Sequence, residues 1–102
     1  MFQRVAALDE VPVGKVHYIE VEGEPIALCN AGGTIYAISS ICTHDGGPLD
    51  QGEIEGETIV CPRHGARFDI RTGRVLRPPA TRKLRTYPVE IRDGAIYVEP
   101  HP

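Results

Sequence analysis

Two short pairs of cysteine and histidine constrain this chain more than any other feature of its sequence. The first is Cys42-Thr43-His44, the second is Cys61-Pro62-Arg63-His64, and sixteen residues lie between His44 and Cys61. Thiolates and imidazoles spaced this closely are typical ligands of zinc or of an iron–sulfur cluster. A fold that uses all four side chains must bring the two segments side by side.

The rest of the chain predicts β-structure. Short runs rich in β-branched and aromatic residues alternate with turn signals about every 8–12 residues, which is typical of an all-β sandwich or barrel. The best helix candidate, Ala6–Gly14, contains Pro12 and ends in glycine, so we expect at most one helical turn there. We predict strands at Phe2–Ala6, Lys15–Val21, Glu24–Asn30, Thr34–Ser39, Glu57–Cys61, Arg67–Ile70, Leu84–Arg92 and Ala95–Glu99.

The order of the candidate ligands favours an iron–sulfur cluster over zinc. Each pair follows a strand-like apolar run and leads into a segment with glycine, which predicts ligands on two neighbouring loops. Finger-type zinc sites usually group cysteine with cysteine and histidine with histidine. Here each loop supplies one of each, as a binuclear cluster with two chemically different irons requires. Glycines at 46, 47 and 65 would let backbone N–H groups approach bridging sulfides. A tetrahedral zinc site is the alternative.

This pattern resembles the Rieske [2Fe-2S] family, in which C-x-H is followed, after a spacer of similar length, by C-x-x-H. The likeness extends over residues 42–49 and 61–69, over Gly52 and Gly56, and over Thr72-Gly73 and Pro79-Ala80. It implies one 2Fe-2S cluster, with Cys42 and Cys61 on the inner iron and His44 and His64 on the outer iron.

The resemblance also implies the architecture. We expect a single Rieske domain over residues 1–102, folded as an antiparallel β-sandwich or barrel with a cluster-binding subdomain built from two loops. The loops are expected at about residues 42–52 and 61–69, and a proline loop at about residues 77–81 is expected to cover the cluster.

Four neighbouring positions depart from the respiratory members of the family. Gly47 and Arg63 stand where those members carry two further cysteines that form a disulfide, and Ala66 and Phe68 stand where high-potential members place a serine and a tyrosine hydroxyl. Hydrogen bonds to the cluster sulfurs favour the reduced, more negative state, so their loss lowers the potential. We expect a potential at the low end of the Rieske range, on the order of −150 mV.

These features resemble the soluble Rieske ferredoxins of bacterial ring-hydroxylating dioxygenase systems. The resemblance implies an electron carrier and not an enzyme, which takes single electrons from a flavoprotein reductase and passes them to a terminal oxygenase. After the four ligands only His17 and His101 remain, so a second, mononuclear iron site is not expected. Two alternatives stay open: the small Rieske-type subunit of an assimilatory nitrite reductase, and another redox-accessory or sensing module.

Charge and hydropathy set limits on partners and location. The net charge is −3, so nucleic acid is not an expected partner, although residues 1–60 carry about −8 and residues 61–102 about +5. This asymmetry is either ordinary solvated surface or a surface that steers a redox partner. No apolar run approaches the ~20 residues that span a bilayer, and no signal peptide is recognisable at the N-terminus, so a cytoplasmic protein is expected.

Overall fold

The computed structural model describes residues 1–43, 46–63, 65–78 and 80–102. The described chain contains strands and two single turns of 3-10 helix, at Leu8–Glu10 and Leu49–Gln51. The strands are β1 Gln3–Ala7, β2 Val16–Val21, β3 Glu24–Ala31, β4 Thr34–Ser39, β5 Glu53–Glu55, β6 Thr58–Val60, β7 Arg67–Asp69, β8 Val75–Arg77, β9 Thr86–Tyr87, β10 Val89–Arg92 and β11 Ala95–Val98.

These strands form three antiparallel sheets, which confirms the all-β prediction. The first sheet has the order β1-β11-β10, the second β2-β3-β4-β9 and the third β5-β6-β7-β8. The first cysteine–histidine segment precedes the third sheet in the chain, and the second segment connects two strands of that sheet, β6 and β7. In the part of the chain described here, no helix is long and apolar enough to cross a membrane.

Residues 26–31 of β3, inside the second sheet, are buried on both faces, because the other two sheets supply apolar residues that cover them. Successive side chains of β3 point to opposite faces. Ile26 and Leu28 pack in a cluster with residues of the first sheet, whereas Ala27 and Cys29 pack in a second cluster with residues of the third. This two-sided burial explains the unbroken apolar run of β3, since a strand with one wet face would alternate.

The predicted strand Leu84–Arg92 is wrong in one respect, because it is two strands in two different sheets. Thr86–Tyr87 pairs with β4, and Val89–Arg92 pairs with β11. Pro88 separates them, and since proline has no N–H to donate, it stands where the chain leaves one sheet for another. Ahead of it, Arg85 and the Tyr87 hydroxyl both donate to the carboxylate of Glu24 at the start of β3, at 2.8 and 2.9 Å.

Two strands were not predicted at all. β5 and β8 have only three residues each and carry mostly charged or exposed side chains, so neither shows the apolar alternation of a half-buried strand. Both are edge strands of the third sheet, where a short, charged strand is common. The helix candidate at Ala6–Gly14 forms one 3-10 turn, as expected.

Candidate metal centre

The first cysteine–histidine segment lies in a loop that is closed at its base. Ile41 and Pro48 form a β-bridge, and the Leu49 N–H donates to the carbonyl of Ser40 at 2.7 Å. Six residues, 42–47, lie between the bridge partners. Inside the loop the Cys42 N–H donates to the Gly47 carbonyl at 2.9 Å, and the N–H of residue 46 donates to the Cys42 carbonyl at 2.8 Å.

The second segment repeats this arrangement. It is the connection between β6 and β7, and six residues, 61–66, lie between the paired residues Val60 and Arg67. The Cys61 N–H donates to the Ala66 carbonyl at 2.8 Å, and the Gly65 N–H donates to the Cys61 carbonyl at 3.1 Å. Each loop therefore begins with a cysteine whose N–H and carbonyl groups are bonded to the end of the same loop.

Glycine occupies the fifth position of both loops for a conformational reason. Gly46 and Gly65 both have φ of +75°, a region that side chains with a Cβ rarely adopt. Within the expected loops, 42–52 and 61–69, these hydrogen-bonded turns cover residues 42–47 and 61–66. The histidines fall at the third position of one loop and the fourth of the other.

The two cysteine side chains suit an iron–sulfur cluster. Cys42 and Cys61 are each 1% exposed, lie in one hydrophobic cluster and form no disulfide. Two thiol groups that enter one apolar region from matching positions of two loops form half of the expected donor set. His44, His64 and Asp45 lie outside the described residues, and so does Pro79. Across the described ranges alone, no three side chains of cysteine, histidine, aspartate or glutamate come together as a metal site.

Polar contacts that the sequence did not reveal hold the first loop in place. The Ser40 hydroxyl, buried at the base of the loop, donates to the Asp50 carboxylate at 2.8 Å. The Thr43 hydroxyl donates to the backbone carbonyl of Arg82 at 2.5 Å. Neither contact can be predicted from the local sequence. Ser40 and Asp50 meet only after the loop turns back, and the acceptor at Arg82 is a backbone atom, which any residue has.

The segment expected as a proline loop returns to the cluster loops. Ala80 is 3% exposed and packs in the same hydrophobic cluster as Cys42 and Cys61. Together with the bond from Thr43 to residue 82, this packing brings residues 80–82 against the first loop. Pro78 is exposed, and the expected covering role of the segment stays a prediction.

The expected low potential depends on side chains that the structure describes. Ala66 and Phe68 are fully buried, at 0% exposure, in the cluster that contains both cysteines. Neither side chain has a polar atom, so neither can donate a hydrogen bond to a sulfur. Gly47 is buried and Arg63 is exposed, and neither can form the disulfide expected at these positions in the respiratory members.

Cys29, the third cysteine, lies on β3 and in neither of the two loops. Its side chain is 0% exposed, and burial raises the pKa of its thiol from 9.0 to about 12. We expect Cys29 to resist Ellman's reagent in the folded protein at pH 8, because the thiolate is the reactive form. A fast-reacting thiol in the wild type that disappears in Cys29→Ala would contradict this expectation.

The same thiol gives stability a pH dependence. The pKa of this thiol is higher in the folded than in the unfolded chain. Its contribution to the free energy of unfolding is therefore complete below about pH 9 and falls as the pH rises towards 12. In urea unfolding at several pH values, the stability of the wild type relative to Cys29→Ala should fall by about 1.4 kcal/mol per pH unit above pH 9. A constant difference between the two proteins from pH 8 to 11 would show that the thiol is not the cause.

Known proteins match this chain over most of its length. Residues 1–88 match the family model of the Rieske [2Fe-2S] domain. The ferredoxin component of the naphthalene 1,2-dioxygenase system of Pseudomonas aeruginosa is 42% identical over 93 residues, which cover 91% of this chain and 89% of that protein.

Two solved structures are similar as well. The ferredoxin of carbazole 1,9a-dioxygenase from Nocardioides aromaticivorans IC177 has a TM-score of 0.94 and 35% identity over 99% of both chains. A chain in the complex of reduced oxygenase and oxidized ferredoxin in carbazole 1,9a-dioxygenase has a TM-score of 0.90 and 32% identity, and the match covers 95% of this chain and 91% of that one.

Proposed function

Because the chain belongs to the Rieske [2Fe-2S] domain family and binds a cluster of that type, we propose that Cys42, His44, Cys61 and His64 are its four ligands. The two buried thiols and the matching loops that carry them support this assignment. The two histidines are proposed from the sequence pattern alone. All three cysteines are free, which fits a compartment that keeps thiols reduced, and a cytoplasmic location is part of the proposal.

The protein serves as the ferredoxin component of a dioxygenase system and carries single electrons to a terminal oxygenase. One observation carries this assignment: the likeness to the carbazole dioxygenase ferredoxin covers 99% of both chains, so the match is to a free-standing carrier. A related chain belongs to a complex of oxygenase and ferredoxin, which supports an oxygenase as the acceptor. A flavoprotein reductase is the proposed donor.

The residues of the chain fix the ligands and exclude water. When bound, a cluster of this type takes up and releases one electron at a time. Backbone bonds on both sides of Cys42 and Cys61 hold the two thiolates at fixed positions, so little rearrangement is needed between redox states. Phe68, Ala66 and Leu49 belong to the same buried apolar cluster as the two cysteines, and such low-dielectric surroundings are one of the protein's means of tuning a potential.

Electron transfer to an oxygenase tests this function directly. We expect the purified protein to contain two irons and two acid-labile sulfides per chain and, once reduced, to reoxidise on mixing with the terminal oxygenase of its own system. Product should form only when reductase, this protein and oxygenase are all present. Transfer to a sirohaem nitrite reductase with none to the oxygenase would instead support the nitrite reductase alternative. A colourless protein with one zinc would exclude both.

The buried, apolar Ala66 and Phe68 predict a low potential. A redox titration should give a value on the order of −150 mV, and Ala66→Ser and Phe68→Tyr should each raise it, because each adds a hydroxyl donor near the sulfurs. Thr58→Ser, on β6, changes a hydroxyl side chain away from the loops and serves as the control. A wild-type value above about +100 mV would contradict the prediction.

A further inference from the structure

The third sheet carries opposite charges at its two edges. Its acidic side chains lie on β5 and in the turn after it, and neighbouring arginines pair with them. Arg67 forms an ion pair with Glu55 at 2.7 Å, and Arg71 contacts Glu57 at 3.6 Å and Asp69 at 3.1 Å. Glu55 and Glu57 are therefore each paired with an arginine close to the same edge.

The opposite edge is different. Four exposed cations there make no ion pair with any of the residues that the structure describes, whereas Arg85, nearby in sequence, is paired with Glu24 at 2.8 Å. Their charge is not cancelled by a close carboxylate. We call this set the basic edge; it consists of Arg74, Arg77, Arg82 and Lys83.

Backbone contacts place the basic edge beside the first cysteine loop. The Leu84 N–H donates to the Gly73 carbonyl at 2.8 Å, so Lys83 and Arg74 flank one bridge between two chain segments. The carbonyl of Arg82 accepts the Thr43 hydroxyl at 2.5 Å, one residue from Cys42. Arg77 ends β8 opposite Arg67. The four cations thus lie on two segments, 74–77 and 82–83, which are joined by the bond from Leu84 to Gly73, and the second segment contacts the first loop.

Apolar side chains lie within the same edge. Leu76 is 48% exposed on β8, although its neighbour Val75 packs into the buried cluster, and Pro78 is exposed next to Arg77. An apolar patch with a charged rim is the usual composition of a protein–protein interface. A surface specialised for nucleic-acid phosphates would not need the exposed leucine, and the net charge of −3 opposes a polyanion.

We propose that the basic edge docks an acidic, carboxylate-lined face of the protein that accepts the electron from this chain. The inference rests on the proposed function of electron carrier and identifies the surface and the charge of the partner. With the Debye length near 8 Å in physiological salt, a partner that contacts the basic edge responds to these four cations more than to acids on other faces of the protein. Docking there brings the partner against the loop that starts at Cys42.

Two charge-matched double variants separate a local effect from net charge. Arg77→Gln/Arg82→Gln removes two cations of the basic edge, and Arg4→Gln/Arg92→Gln removes two from the first sheet. Each takes the net charge from −3 to −5. Arg82 contacts Thr43 through its backbone carbonyl, so its side chain can be changed without removing that bond.

The first test uses small oxidants of opposite charge. Two cobalt(III) complexes serve as oxidants: tris(oxalato)cobaltate, with a charge of 3−, and hexaamminecobalt, with a charge of 3+. Each molecule of the reduced, cluster-loaded protein gives one electron to one complex, whose cobalt(III) becomes cobalt(II). Although the protein is anionic, the rate of electron transfer to tris(oxalato)cobaltate should fall at least about threefold as the salt concentration is raised from ~20 to ~300 mM. The basic-edge variant should lose this dependence and the control should keep it. A rate with the anion that rises with salt would overturn the proposal.

The second test does not involve the cluster. A carboxymethyl cation exchanger presents a carboxylate surface in place of the partner. At pH 7 and low salt we expect the wild type and the control to be retained and the basic-edge variant to flow through. Flow-through of the wild type, or co-elution of the two variants, would overturn the proposal. If neither cobalt complex oxidises the protein, the electron-carrier function fails, and the exchanger still tests the basic edge.

A third measurement checks the polyanion alternative. A fluorescein-labelled single-stranded oligonucleotide should not bind the wild type at ~150 mM salt, where only several phosphate contacts together give useful affinity. Micromolar binding that the basic-edge variant loses would reassign this surface to nucleic acid and overturn the proposal of a protein partner.

Discussion

Cys42→Ala and Cys61→Ala should each abolish cluster binding. Each side chain is 1% exposed and has no neighbouring cysteine in its own loop that could take its place. A Rieske iron that loses one of its two thiolates keeps an incomplete ligand set, and the buried space left by the sulfur is apolar. Iron and acid-labile sulfide should fall from about two per chain to near zero, and the red-brown absorption should disappear.

Cys29→Ala is the matched control for these variants. It removes a third buried thiol from the same hydrophobic cluster, so it creates a similar small defect without touching a proposed ligand. It should keep full iron content and cost about 1 kcal/mol of stability at most. His44→Ala and His64→Ala should also lose the cluster. Full iron content in Cys42→Ala or Cys61→Ala, or loss of the cluster in Cys29→Ala, would refute the ligand assignment.

Loss of the cluster should also lower stability. A ligand that binds only the folded state adds stability in proportion to the logarithm of its affinity, and metal centres commonly contribute several kcal/mol. A chain of 102 residues has a modest core of its own. We therefore expect the melting temperatures of Cys42→Ala and Cys61→Ala to fall by about 10 °C or more below that of Cys29→Ala, since 1 kcal/mol corresponds to about 4–8 °C in a small domain.

The long strands and the tight turns were predictable from local sequence. β2, β3 and β4 have strong apolar patterns, and the turns between them contain glycines at 23, 32 and 33, all with positive φ. Register follows from such two-residue connections, because loop length fixes how the strands align. The local pattern did not predict that β3 is buried on both faces, because this burial depends on the two other sheets.

The predictions that failed concern features fixed by tertiary contacts. β5 and β8 are short and charged, and they form strands because β6 and β7 offer paired backbone groups. The division at Pro88 depends on which sheet each half joins. At the candidate centre, the sequence located the cysteines, but the bonds from Ser40 and Thr43 join groups that are distant until the chain folds.

Gly73 shows how one backbone contact fixes the segment that returns to the first loop. It is buried, with φ of +78°, and it donates to the Asp69 carbonyl at 2.7 Å while accepting the Leu84 N–H at 2.8 Å. A Cβ at this position would lie 2.1 Å from the Leu84 carbonyl oxygen and 3.0 Å from its carbon. Backbone atoms cannot rotate away as a flexible side chain could, so the two segments would have to separate.

Gly73→Ala should therefore be one of the most destabilising single substitutions in the chain, and Gly94→Ala is its matched control. Gly94 has nearly the same φ, +74°, with nothing within 4 Å of a Cβ, so alanine there adds only backbone strain of about 1–2 kcal/mol. Gly73→Ala adds the clash and should cost about 4 kcal/mol, a large share of the stability of a small domain. In thermal unfolding of the cluster-loaded proteins, Gly94→Ala should melt about 5–10 °C below the wild type and Gly73→Ala at least ~15 °C below it. Melting of both variants within about 3 °C of each other would show that the contact with Leu84 relaxes at little cost, and that the segment carrying Ala80 and Arg82 is not held by this contact.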